Sequence, residues 1–423
     1  MSGGSFVRAS PAAVATADTR VSTIAGPALW LFSSNLLYAA CQWGTVIALA
    51  KLGEPSSLGH LGLALAVATP VVLITGFALR SYQATDVLRR YAFTDYLNLR
   101  LAANVLAAAI ILAVGWLGGI ERAAVVILIP IGAAKIAEAT SETCYGLAQR
   151  HERMQFVAIS RMTRGAIGLG ALVAVMALTG SLAAGAWAMA AAWTVFLLLV
   201  DLRVARELEP IVARPKPAVL LRLARESAPL GAMHGVYAVT QSMPRYFLAL
   251  AHGASAVGYY TALSAVGPAT AQLAAAVCQA AAPRLGWAAA AGGNRYRALV
   301  LRLIGTSVLA GACLVGGAAV VGRPFLTLAY NEEYAAYYGP FVLLVLVAAL
   351  GVVSEVAYIA MVAARQLGLL LGVQCCGLVA TAIGAAMFVP TYGVGGAAVA
   401  AAFGGVGALV PATFILLGRR RNP

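Results

Sequence analysis

Charge is what this chain has least of. Only 10% of its 423 residues are charged, while 61% are hydrophobic. A soluble fold of this size cannot cover its surface with so little polar material, so a water-soluble globular protein is excluded. Acids are scarcer still, 15 against 29 Lys and Arg. The four histidines (His60, His151, His234, His252) are scattered, and none has metal-ligand spacing with a cysteine, so no metal site is expected. There is no Walker-type phosphate loop and no catalytic set, so neither an enzyme nor a cofactor is expected. The six cysteines (Cys41, Cys144, Cys278, Cys313, Cys375, Cys376) fall inside apolar stretches and read as small packing residues. The first 20 residues contain no long apolar core, so they are not expected to be a signal peptide.

What is there is a recurrence of long apolar segments. A transmembrane helix needs about 20 mainly apolar residues. Segments of that kind are expected near 23–49, 60–79, 101–118, 123–148, 156–179, 182–202, 227–251, 255–283, 298–321, 334–363, 367–389 and 392–418. Inside lipid every backbone polar group needs an internal partner, so these are helices. The expected fold is an all-α integral membrane protein with about twelve transmembrane helices.

Lys and Arg set the orientation. Both termini and the connections after even-numbered helices hold Arg8, Arg20, Arg80, Arg89, Arg90, Arg100, Arg150, Arg153, Arg203, Arg206, Arg214, Lys216, Arg222, Arg225, Arg284, Arg295, Arg297, Arg302, Arg365 and Arg419 to Arg421. The other connections hold only Lys51, Arg122 and Arg323. The asymmetry places both termini in the cytoplasm. The net charge of +14 is then a topology signal and a surface for anionic lipid. Spread over many short connections, it is not a nucleic-acid footprint.

The expected organisation is a disordered cytoplasmic tail over 1–22, a first lobe over 23–205, a cytoplasmic linker over 206–226, a second lobe over 227–418 and a basic tail over 419–423. A faint repeat crosses the linker. Leu58-Gly59-His60 and Ala64–Pro70 stand where Val257-Gly258-Tyr259 and Leu263–Ala269 stand in the second half. Six helices per half make the copies parallel, related by an axis along the membrane normal.

Polar groups inside the spans carry the functional signal, because intramembrane charge costs about 2.5–3.5 kcal/mol per residue at a helix centre. Lys135, Glu138 and Glu142 share one face of the fourth helix by their spacing. They line a cavity or form a structural Lys135–Glu138 pair. Arg161 and Arg164 share a face of the fifth helix, and either is a partner for Glu142. Gln241 and Arg245 lie on the seventh helix beside Pro244, a kink residue. Glu355 is a lone acid on the tenth. Glu138, Glu142 and Glu355 are the candidates for ion coupling. Asn35 and Gln42 on the first helix read as interhelix hydrogen-bond formers. Arg80, Asp86, Arg89 and Arg90, interleaved with aromatics, read as a cytoplasmic interface for lipid head groups.

Three stretches carry a family resemblance. The first is Arg80-Ser-Tyr-Gln-Ala-Thr-Asp86 with Asp95-Tyr-Leu-Asn-Leu-Arg100. The second runs from Glu142-Thr-Cys-Tyr145-Gly146 through Gln149-Arg-His-Glu152-Arg-Met154 into Ser160-Arg161-Met-Thr-Arg164-Gly165. The third is Pro244-Arg245-Tyr through Val257-Gly258-Tyr259-Tyr260 to Pro283. The chain resembles the Wzx-type polysaccharide flippases, in the superfamily that holds lipid II flippases and multidrug and toxin extruders. The resemblance implies two six-helix lobes around a central cationic cavity and alternating access. It implies a flippase of an undecaprenyl-pyrophosphate-linked oligosaccharide in the bacterial inner membrane. Expected partners are that lipid-linked substrate, membrane lipids, and a polysaccharide polymerase and glycosyltransferases. A drug or metabolite exporter is the alternative, and a membrane glycosyltransferase or ligase a more distant one.

Overall fold

In the computed structural model of the chain, the described residues are 11–86, 88–212, 216–272, 274–275, 278, 281, 285, 294–363 and 367–417. All regular elements among them are helices. The first lobe contains α1 (Pro11–Leu52), α2 (Pro55–Thr75), α3 (Leu79–Thr85), α4 (Phe93–Leu117), α5 (Arg122–Arg150), α6 (Met154–Thr179), α7 (Leu182–Phe196) and α8 (Leu202–Leu208). A single π-helical turn, Leu197–Asp201, joins α7 to α8. The second lobe contains α9 (Pro217–Ser264), α10 (Asn294–Ala329), α11 (Glu332–Ala335), α12 (Tyr338–Ala363) and α13 (Leu367–Leu417).

Eight described helices are long and apolar enough to cross a membrane by length and composition. One of them, α13, is two spans broken at Gly393, where φ is 53°. Likewise α9 breaks at Gly253, with φ 76°. Only glycine takes these left-handed angles without steric cost, so each reverses the chain in one residue. With α1 and the two arms of α9, the spans number twelve, arranged as two lobes of six.

Local signals place the ends. Pro55 and Pro217 occupy first-turn positions where a missing N–H costs nothing. Gly180, at φ 66°, closes α6, and Ser181 caps α7 by accepting from Ala184 N at 3.3 Å. We call the side holding the Arg-rich connections the basic face, and the other side the opposite face.

Several expectations shift. Residues 1–10 and the tail at 419–423 lie outside the described residues, but 11–22 of the expected disordered tail continue α1 as helix. Arg214 of the linker also lies outside them. The rest of the linker is partly helical: α9 starts at Pro217, ten residues before the expected seventh helix, because Leu223 is fully buried against Leu79, Tyr96 and Leu99. Pro244 does not break α9, and only Gly253 departs from helical angles. Cys313, Cys375 and Cys376 are exposed rather than packed, a thiol being apolar enough for the lipid side.

One turn is strained to good purpose. Phe77 and Ala78 both sit at left-handed φ, 51° and 49°. Each costs about 1–2 kcal/mol for a residue with a Cβ. The close approach of Gly231 to the Phe77 backbone and the Arg100 bond to Gly76 O at 3.0 Å hold the turn. It turns the chain into α3, whose Arg80 approaches α5. Beyond it, Tyr82 donates to Glu226 of α9 at 2.6 Å and links the lobes on the basic face. Hydrogen bonds from Tyr82 and Arg222 hold the Glu226 carboxyl down at about 2, so it stays ionised at neutral pH.

Candidate functional site

The stripe expected on α5 is there, and the neighbouring helices close around it. Glu138 is the centre. Its Oε2 accepts from Lys135 Nζ at 2.8 Å, one turn away. Its Oε1 accepts from Arg164 Nη2 of α6 at 3.2 Å and from the hydroxyl of Tyr38 of α1. Gln42 Nε2 donates to the same Tyr38 oxygen at 2.9 Å. Glu142 pairs with Arg80 and lies 3.6 Å from Arg164 Nη2. Two carboxylates are thus shared by three cations. Partnered ions of this sort survive away from water because each carboxylate oxygen faces a cation within ion-pair distance.

Arg164 is 0% exposed and the largest fully buried side chain. Its guanidinium carbon sits 5.7 Å from the Tyr38 ring centre, 5.4 Å from Tyr145 and 5.5 Å from Trp193. Such contacts strengthen when desolvated. Its backbone carbonyl accepts from Trp193 Nε1 at 3.0 Å. Arg164 therefore fastens α1, α5, α6 and α7 together.

Behind it lies a second polar group. Tyr145 hydroxyl meets Ser160 Oγ at 2.8 Å, and Ser160 donates to Asp201 Oδ1 at 2.5 Å. Asp201 is fully buried at the end of the π-helical turn, where the wider coil turns it toward α5 and α6. The reading of the sequence passed over it. The signal was available: a lone acid ending the apolar run Val195–Val200. Arg100 was assigned to a connection but is 5% exposed, its Nε bonded to Thr143 Oγ1 at 3.1 Å.

Arg161 is treated differently. It shares a face with Arg164 but has no carboxylate at ion-pair distance among the described residues. Its Nη1 donates to Asn35 Oδ1 of α1 at 2.7 Å, and its guanidinium lies 4.9 Å from the Tyr38 ring centre. Its Nε is buried without a partner. Asn35 thus forms an interhelix bond as expected, whereas Gln42 bonds within α1, to the hydroxyl of Tyr38 one turn away.

Arg245 of the second lobe is the counterpart. It too lacks a carboxylate partner among the described residues. Nη2 donates to Ser264 Oγ at 3.2 Å and Nη1 to the Gln241 backbone carbonyl at 3.5 Å, and the guanidinium lies 5.6 Å from the Tyr260 ring centre. Its Nε is also buried and unpartnered. Gln241, one turn away, is exposed. Glu355 is half-buried on α12, near Tyr237, Tyr358 and Cys278, and makes no ion pair among the described residues.

The cytoplasmic-interface set divides. Arg80 joins the α5 network. Asp86 is 4% exposed and accepts from the backbone N–H of Arg90 and Tyr91, at 3.1 and 3.2 Å, and from Tyr96 hydroxyl at 3.1 Å. It orders the loop rather than meeting solvent. Arg89 and Arg90 remain exposed. A partly open cleft lies in the first lobe, lined among others by Tyr38, Gln42, Thr45, Lys135 and Trp193. Of the residues expected to line a central cavity, it takes in Lys135.

The fold agrees with comparison to known proteins. A family model described as polysaccharide biosynthesis protein matches residues 26–287. The chain belongs to that family. The capsular polysaccharide biosynthesis protein CapF of Staphylococcus aureus is 23% identical over 131 residues, which is 31% of this chain and 32% of that one. The chain thus matches about a third of that relative's length. The lipid II flippase MurJ, in an inward closed conformation, superposes with a TM-score of 0.74 at 11% identity, over 92% of this chain and 87% of that one. An inward-facing multidrug resistance MATE transporter of the MOP superfamily gives 0.70 at 14% identity, over 92% and 98%. An outward-facing member gives 0.59 at 16%, over 93% and 95%. This family member is a multi-pass membrane protein of polysaccharide biosynthesis with the two-lobed fold of those flippases and transporters.

Proposed function

We propose that the protein is a flippase that moves an undecaprenyl-pyrophosphate-linked oligosaccharide from the cytoplasmic to the outer leaflet of the bacterial inner membrane. On this reading the basic face and both termini are cytoplasmic. The observation that carries it is the pair of intramembrane arginines, Arg161 in the first lobe and Arg245 in the second, that have no carboxylate at ion-pair distance among the described residues and keep a buried Nε without a partner. Lys135, Arg164 and Arg80 are already committed to Glu138 and Glu142. A guanidinium held only by neutral groups, with its Nε unpartnered, is suited to an incoming anion. Pyrophosphate on a polyprenyl lipid fits that need. Its tail stays in the bilayer while the sugar head crosses between lobes that rock about a midplane site.

The balance of buried charge supports this over a drug exporter. The intramembrane network and its surroundings contain Arg80, Arg100, Lys135, Arg161, Arg164 and Arg245 against Glu138, Glu142, Asp201 and Glu355. A net positive interior repels cationic drugs and attracts phosphate. Glu355, without an ion-pair partner, is the better placed of the three acids for ion coupling, because Glu138 and Glu142 are each held by two cations. Translocation changes no covalent bond, so the reading assigns no enzymatic activity. The glycosyltransferases that build the substrate and the polymerase that consumes it are the partners the reading implies.

The test is translocation in vesicles. Purified protein is reconstituted with a fluorescent undecaprenyl-pyrophosphate saccharide, and a membrane-impermeant quencher reports the leaflet. Wild type should equilibrate the lipid between leaflets, and an Arg161→Gln, Arg245→Gln double variant should not. Equal rates in both, or transport of a cationic dye instead, would overturn the reading.

A further inference from the structure

The two copies of the faint repeat meet face to face. Between α2 and the span that follows Gly253, equivalent residues differ by 199 positions: Pro55 with Ala254, Gly59 with Gly258, Gly62 with Thr261. Their contacts are reciprocal under that shift. A Cβ on Gly59 would lie 1.8 Å from Ala254 O, and a Cβ on Gly258 would lie 1.9 Å from Pro55 O. A Cβ on Gly62 would lie 2.1 Å from the hydroxyl of Thr261, its own equivalent. The pseudo-twofold axis therefore passes through the Gly62–Thr261 pair. Backbone meets backbone on either side of it, as small residues permit in membrane helices.

The crossing sits at the opposite face, where both helices begin. Other bonds between the lobes cluster there. Trp43 Nε1 donates to Tyr330 hydroxyl at 2.8 Å and Asn331 Nδ2 to Ala50 O at 2.9 Å. Trp43 stacks on Phe325 with ring centres 5.6 Å apart. We propose that the reciprocal Gly59–Gly258 crossing is the gate on the opposite face, a seam that closes only because both positions lack a side chain. The proposal rests on the alternating-access reading above. In the closed gate the two helices are in backbone contact. Opening separates them symmetrically about the Gly62–Thr261 pair. The long flank where α2 packs on the first arm of α9, with Gly235 against Ile74 and Gly231 against Phe77, stays together while the opposite face is open and parts in its turn when the basic face opens.

The seam has a signature that general packing lacks. At Gly59 and Gly258 the obstacle to a methyl group is a backbone carbonyl, which no side-chain change removes. At Gly62 it is the Thr261 side chain, which can be removed. The readout is labelling of a reporter cysteine at Thr45, below the seam on α1, in a protein whose six native cysteines are replaced. A membrane-impermeant maleimide is applied at the opposite face. Gly59→Ala and Gly258→Ala should each raise the labelling rate about tenfold, the change that a bias of about 1.4 kcal/mol toward the open state produces. Gly62→Ala should do the same, and adding Thr261→Ala, which removes the 2.1 Å hydroxyl contact and leaves only the Cβ at 3.1 Å, should return it most of the way to the parent rate. Thr261→Ala should not rescue Gly59→Ala.

A second reporter at His234, on the basic-face half of α9, separates this proposal from the reading beneath it. If its labelling from the basic face falls as that of Thr45 rises, gate and rocking both hold. If Thr45 labelling rises alone, the gate holds and alternating access fails. Folded glycine variants that label Thr45 at the parent rate overturn the gate. Should Gly59→Ala fail to fold, the Gly62→Ala single and its Thr261→Ala double carry the test, and equal labelling in those two overturns it.

Discussion

Arg164 and Arg161 lie three residues apart on one helix face, yet the geometry assigns them opposite roles. Replacing Arg164 with Met removes the shared donor to Glu138 and Glu142, at 3.2 and 3.6 Å, and three aromatic contacts. Breaking a buried ion pair from one side costs about 3–5 kcal/mol. Lys135 and Arg80 stay on the two carboxylates, so the cost should fall at the low end, about 3 kcal/mol. At about 2–4 °C per kcal/mol for a unit of roughly 200 residues, melting should drop by roughly 6–12 °C. Arg161→Met removes one hydrogen bond to Asn35 and one ring contact, and leaves no carboxylate unpaired. Asn35, 6% exposed, loses a donor, so that cost should fall at the low end of about 1–3 kcal/mol, below the Arg164 loss. The assay pairs intrinsic-fluorescence melting of both variants in one detergent with polysaccharide export in cells lacking the native protein. Arg164→Met should lose stability, with export following the folded fraction. Arg161→Met should melt near wild type and lose export per folded molecule. An Arg164→Met protein as stable as wild type would refute the structural role. An Arg161→Met protein that exports normally would refute the substrate role.

Two further outcomes follow from the same network and from the charge asymmetry. Lys135→Met should destabilise the protein by removing one of the two cations on Glu138, and Lys135→Met with Glu138→Gln should recover part of the loss, a coupling of about 0.5–3 kcal/mol in a double-mutant cycle of melting; strictly additive losses would contradict the pairing. Single cysteines at residues 10, 212 and 420 should be missed by an impermeant reagent applied outside intact cells, while one at residue 181 should be reached, and outside labelling of residue 212 would invert the topology.

Much of this architecture was legible because a membrane helix has few options. Spacings of three and four put Lys135, Glu138 and Glu142 on one face, and Arg161 with Arg164 on another, before any contact was known. Which cation took which acid was not legible, since both arginines sat at suitable depth. Tyr38 decides it, through a hydroxyl on Glu138 and a ring beside both guanidinium groups. Arg80 read as interfacial because it follows an apolar span and precedes other arginines. Its approach to Glu142 depends on left-handed angles at Phe77 and Ala78, which neither residue type advertises. Asp201 depends on a π-helical turn, one extra residue in a helix whose period reads as regular. The repeat was visible as faint similarity in an Ala- and Gly-rich chain. Only the reciprocal carbonyl contacts of Gly59 and Gly258 distinguish it from coincidence.

The central claim is that Arg161 and Arg245 hold a pyrophosphate. Binding of undecaprenyl pyrophosphate to the purified protein in nanodiscs tests it most directly, with uncharged undecaprenol as the comparison. Each arginine should contribute a charge-assisted bond of about 1.5–3 kcal/mol, so Arg161→Gln or Arg245→Gln should weaken the pyrophosphate lipid by roughly 10- to 100-fold and leave undecaprenol unchanged. Equal affinity of wild type for the two lipids, or affinity unaltered by both substitutions, would contradict it.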